Sequence, residues 1–91
     1  MSLIDASHCL TELAAGRTPE RVFLLTGALA LDELRTRTPL SRDLADAAEG
    51  LTILARGGKL DLNDEGRRRA AFLASAVHKA YRREVARTQS E

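Results

Sequence analysis

TPERVFLLTGALALDELRTRTP, Thr18 to Pro39, is the stretch whose reading decides the fold. Thr18 can cap a helix, Pro19 suits the first helical position, and Glu20 sits well at the positive end of a helix dipole. Val22, Phe23, Leu24, Leu25, Ala28, Leu29, Ala30, Leu31 and Leu34 then make the segment apolar nearly all round. Such a helix is buried on more than one side, so it is either the centre of a bundle or part of a subunit interface. Gly27 in its middle costs about 1 kcal/mol against alanine in an exposed helix, and close approach of a neighbouring helix is a reason to keep it. The helix is expected over residues 19–35.

The same punctuation recurs along the chain. Before this stretch, Leu3, Ile4, Leu10, Leu13 and Ala14 fall at helical spacings, and Gly16 offers a left-handed stop. That predicts a helix over 2–15, short enough to fray or to dock on a partner. After it, Thr38-Pro39 or Ser41 opens a helix over 40–56 with Leu40, Leu44, Ala47, Ala48, Leu51, Leu54 and Ala55 as its apolar stripe; Gly57-Gly58 ends it. Asp61 or Asn63 caps the last and longest helix, 63–87, with Asp64 and Glu65 in its first turn. Ala70, Leu73, Ala74, Val77, Ala80, Tyr81 and Val85 share one side of it, while Arg68, Lys79, Arg82 and Arg83 share the other. Residues 88–91 are expected to be a disordered tail. The fold class is therefore all-α, a small four-helix bundle forming one domain over residues 1–91.

Composition agrees with that class. Leucine and alanine supply 15 residues each, and the aromatic rings are limited to Phe23, Phe72 and Tyr81. A Leu/Ala core suits closely packed helices and suits a β-sandwich poorly. Ninety-one residues bury only roughly 60–65% of their unfolded surface, so self-association is expected as a way to cover more. Cys9 is the single cysteine, which fits a reducing, cytoplasmic setting. No signal-peptide pattern opens the chain, and its longest apolar run, Val22 to Leu31, is far short of the roughly 20 residues of a membrane span. Arginine outnumbers lysine twelve to two, a bias that reads as the mark of a GC-rich bacterial genome.

No motif carries recognisable chemistry. Asp61-x-Asn63-x-Glu65-Gly66 has the outline of a calcium loop, but Phe72 stands where the bidentate glutamate belongs and Arg67, Arg68 and Arg69 fall inside it. Gly57-Gly58-Lys59 lacks the upstream glycine of a phosphate loop and ends a helix where that loop begins one. A helix-turn-helix over 41–58 puts Glu49 at the turn and leaves Leu51 to Ala55 too apolar to read bases. His8, Cys9 and Asp5 supply too few converging ligands for a metal. Asp43, Asp46 and Glu49 read as a solvated acidic face. Neither a cofactor nor a metal is expected, and with two histidines and one cysteine the chain reads as a non-enzyme.

Charge provides the remaining signal. Residues 1–65 hold seven Lys/Arg against eleven Asp/Glu, a net −4, and residues 66–91 hold seven against two, a net +5. The expected function is a non-enzymatic interaction module of the kind used by small adaptors, chaperones and regulators. It binds another protein or itself through Leu24, Leu25, Leu29 and Leu31, with Arg68, Arg82 and Arg83 setting orientation and on-rate. The alternative is a small nucleic-acid-binding regulator that uses the basic face of the last helix. Against that alternative, base stacking wants exposed aromatics, and Tyr81 falls on the apolar side.

Overall fold

The computed structural model describes residues 3–89, and among them four helices account for all the regular structure. They are α1 (Leu3–Ala14), α2 (Arg21–Arg37), α3 (Arg42–Ala55) and α4 (Asp64–Gln89). The four-helix bundle expected from the punctuation is present.

The turns follow from local chemistry. Gly16 (φ 81°) and Gly57 (φ 87°) adopt the left-handed conformation that side chains disfavour. Each closes a Schellman motif: Gly16 N and Arg17 N donate to Leu13 O and Glu12 O, and Gly57 N and Gly58 N donate to Leu54 O and Ile53 O. Ser41 caps α3, its Oγ accepting from Leu44 N at 3.3 Å. Asn63 caps α4, its Oδ1 accepting from Gly66 N at 2.8 Å, while Asp61 Oδ1 accepts from Asn63 N at 3.1 Å.

Thr18-Pro19 acts differently from the expectation, and of the two starts left open for α3 the structure takes Ser41 and not Thr38-Pro39. Thr18 does not cap α2; Glu20 takes the cap position in extended conformation, without a side-chain cap bond, and Pro19 lies in the connection. Thr38 is extended and terminates α2, its N–H reaching back to Leu34 O at 3.0 Å. A residue before proline avoids the helical region, so these pairs work as connectors. In consequence α2 is shifted by two residues, to 21–37, against the expected 19–35. At the far end α4 runs on through Thr88 and Gln89, where a disordered tail was expected; residues 90 and 91 of that tail, like residue 2 of the first helix, lie outside the described residues.

Successive helices run antiparallel. The helix pairs in contact are α1 with α2, α2 with α3, α3 with α4 and, most extensively, α1 with α4. α1 also reaches α3 across the bundle, whereas α2 and α4 stand at opposite corners. The centre is therefore α1, not α2 as one reading of the sequence had it. Leu3, Ala6, Cys9, Leu10 and Leu13 of α1 are buried, so over residues 3–14 the short helix packs within its own bundle. Its Ile4, expected on the packed face, is exposed. Leu31 of α2, Ala47 and Leu51 of α3 and Val77 of α4 complete the fully buried set, and the described core contains no buried polar or charged side chain.

Gly27 is what lets α1 and α2 nest. A Cβ placed there would stand 2.9 Å from Ala6 Cα and 3.2 Å from Leu51 Cδ1. Along α4 the last buried position is Ala80. Arg37 ties the end of α2 to Glu84 at 3.7 Å, and beyond that point α4 extends past the bundle. At about 1.5 Å per residue its 26 residues span about 39 Å, close to the 42 Å long axis of the molecule.

Candidate interaction surface

The helix packing sorts the expected contact residues into two groups. Leu24 (3% exposed) and Leu31 (0%) point into the bundle and belong to its core, so they are not available to a partner. Leu25 (44%) and Leu29 (60%) point outward, joined by Val22 (59%). These three, at spacings of three and four, form one stripe along the outer side of α2. Arg21 stands at one end of it and Asp32 at the other, both exposed. Because α2 is apolar at every phase, the wheel alone could not tell the inward leucines from the outward ones. Phe23 lies at the edge of this face, half-exposed, with the His8 ring of α1 edge-on to it at 6.0 Å.

The charged face of α4 also divides. Arg67 pairs with Asp64, Arg87 with Glu84, and Arg69 reaches across to α3, its Nη2 donating to Asp43 Oδ1 at 3.2 Å and Asp46 Oδ2 at 2.8 Å. The acidic face of α3 is thus not simply solvated; two of its carboxylates meet α4 within the chain. Among the described residues, Arg68, Lys79, Arg82 and Arg83 make no ion pair, and all four are exposed. Phe72 stands in the middle of them, 54% exposed. It lies four residues after Arg68 and seven before Lys79, a spacing that was readable from the sequence. The Arg69 guanidinium sits over its ring, 5.3 Å from the centroid.

The seam between α3 and α4 holds two grooves, one on each side of the Arg69 bridge. The first, about 350 Å³, has a floor of Leu10, Leu13, Ala70 and Leu73, with Glu49 and Asp61 at its rim. The second, about 290 Å³, lies between the start of α3 and the outer half of α4, against Phe72, Lys79 and Arg83.

The residues that could do covalent or metal chemistry are apart. Cys9 is fully buried, and that burial, assisted by the nearby Asp5 and Glu12 charges, pushes its thiol up to about 11. A thiol held protonated at neutral pH is a poor nucleophile. His8 next to it faces outward. Glu12 bonds to the Arg17 guanidinium, which holds its carboxyl below the usual range. Among the described residues no three His, Cys, Asp or Glu side chains converge as a metal site requires, and no helix is long and apolar enough to cross a membrane. No family model, curated protein or solved structure matches the chain.

Proposed function

We propose that this protein is a non-enzymatic interaction module that pairs with a second copy of itself through the outer face of α2. The observation that carries the reading is the stripe Val22, Leu25, Leu29, three large aliphatic side chains in a row with about half their surface in water. Scattered exposed leucines are ordinary, but a contiguous row on one helix is what a helix-to-helix contact uses.

Two further observations favour a second copy as the occupant. The chain exposes 5902 Å², against about 5,200 Å² for a monomer of 9.9 kDa by size scaling. The surplus of about 700 Å², shared between the outer face of α2 and the end of α4 that extends past the bundle, is on the scale of the roughly 800 Å² that each partner buries in a standard interface. The stripe is also self-complementary. An antiparallel, two-fold pairing of α2 with itself brings Arg21 of each copy toward Asp32 of the other while the leucines interlock between them.

Leu25 lies near the middle of the stripe, close to the expected two-fold axis. A Leu25→Cys variant should therefore form a disulfide-linked dimer quickly under mild oxidation, while Cys9, being buried, does not interfere. A Glu49→Cys variant on the exposed side of α3 serves as control and should crosslink only slowly. Equal rates for the two positions would rule out the α2 pairing.

A further inference from the structure

The outer face of α4 has its own chemistry, independent of α2, which stands at the opposite corner of the bundle. From this face we infer that the protein binds single-stranded nucleic acid, with Phe72 as the stacking platform. Arg68, Lys79, Arg82 and Arg83 lie along one helix side and are not neutralised within the chain among the described residues. Arg68 to Arg83 covers about 22 Å of a straight helix, a rigid row of cations with which a phosphate backbone can run in register. Four unpaired cations on one face call for an anionic partner.

Phe72 selects among anions. It is an isolated, 54% exposed ring set between Arg68 and Lys79. The Arg69 guanidinium over it is itself pinned by Asp43 and Asp46, so the ring is held in place from one side. Beside it the groove of about 290 Å³ between α3 and α4 has Lys79 and Arg83 on its wall. A strand with one base stacked on Phe72 can run its following phosphates past Lys79, Arg82 and Arg83, which lie about 10–17 Å further along α4. Stacking requires an unpaired base, since in a duplex the faces of the bases are already occupied. A lipid surface fits less well. A helix that lies in a membrane interface needs a broad apolar face, and the apolar face of α4 is spent inside the bundle, with Ala70, Leu73, Ala74, Val77 and Ala80 buried.

The test measures fluorescence anisotropy with labelled oligothymidylate and oligouridylate of about 15 nucleotides, matched duplex, and polyglutamate, and vesicle co-sedimentation with phosphatidylserine-containing vesicles. Both single strands should bind. With three to four phosphates engaged, the affinity should fall about 20- to 50-fold between about 50 and 200 mM salt. Their relative affinity tells DNA from RNA. Phe72→Ala should weaken binding at least about five-fold while leaving the helical circular dichroism unchanged, because the side chain is on the surface. Arg82→Glu with Arg83→Glu should abolish binding. Absence of single-strand binding at low salt, a preference for duplex, polyglutamate or vesicles, or an affinity indifferent to Phe72→Ala would each overturn the inference.

Discussion

Replacing Gly27 by alanine sets two effects of known sign against each other. In an exposed helix the change stabilises by about 1 kcal/mol, because glycine loses more backbone entropy on folding. Here the new Cβ would meet Ala6 Cα at 2.9 Å, Ala6 N at 3.2 Å and Leu51 Cδ1 at 3.2 Å. The closest of these is backbone, so no side chain can swing aside. α1 would have to move outward by about 0.5–1 Å to restore ordinary contact, yet it is held from the other side by α4. Overpacking costs about 1–3 kcal/mol, and a clash with backbone belongs in the upper part of that range, about 2–3 kcal/mol, so after the gain of about 1 kcal/mol Gly27→Ala should be net destabilising by about 1–2 kcal/mol. For a domain of this size that is a sizeable share of a total of about 5–14 kcal/mol. Gly50 supplies the control. It is also mid-helix, in α3, but a Cβ there meets only Leu60 Cδ1 at 3.6 Å. Gly50→Ala should therefore stabilise by about 0.5–1 kcal/mol. Urea unfolding followed by circular dichroism, at one fixed protein concentration, should move the two midpoints in opposite directions, Gly27→Ala downward by about 1 M. A Gly27→Ala protein as stable as the parent would refute the close packing of α1 on α2.

Other perturbations follow from the same contacts. Gly57→Ala forces a side chain into φ 87° and should cost about 1 kcal/mol, seen as a lower unfolding midpoint. Removing the α4 cap with Asn63→Ala leaves Gly66 N without its acceptor and should cost about 1 kcal/mol in the same assay. Cys9 should react with thiol reagents only when the bundle opens, so its labelling rate should track stability. Its thiol ordinarily titrates near 9.0 and in the fold near 11. Above pH 9 the unfolded chain loses a proton that the folded chain keeps, so stability should decline from about pH 9 to about pH 11, by at most about 3 kcal/mol. In Cys9→Ala that part of the slope should vanish.

What the sequence displayed and what it concealed have separate physical causes. Stops written in backbone chemistry were legible: Gly16 and Gly57-Gly58 end their helices, and Ser41 and Asn63 begin theirs. Gly27 was readable as a point of close approach, and the approach is there. Thr18-Pro19 misled, and Thr38-Pro39 left the start of α3 open between itself and Ser41, because the same dipeptide can open a helix or keep the preceding residue extended, and local chemistry does not choose. The central place of α1 was hidden by its small residues. Ala6 and Cys9 contribute little to an apolar pattern, yet they are what permits deep burial between α2 and α4. On α2 the surplus of leucine erased the wheel, so Leu24 and Leu31 could not be separated from Leu25 and Leu29 until the neighbouring helices were in place. Phe72 was overlooked for the opposite reason: a lone aromatic among cations makes no periodic signal, although its spacing from Arg68 and Lys79 put it on their face.

The central claim is that the outer stripe of α2 joins two copies of the chain. Sedimentation equilibrium of the parent protein and of a Leu25→Glu, Leu29→Glu variant tests it most directly. The account predicts a parent mass rising with concentration toward twice 9.9 kDa, and a variant that keeps its helical spectrum but stays at 9.9 kDa throughout. A parent protein that remains at the monomer mass at every concentration, or a variant that associates just as the parent does, would contradict it.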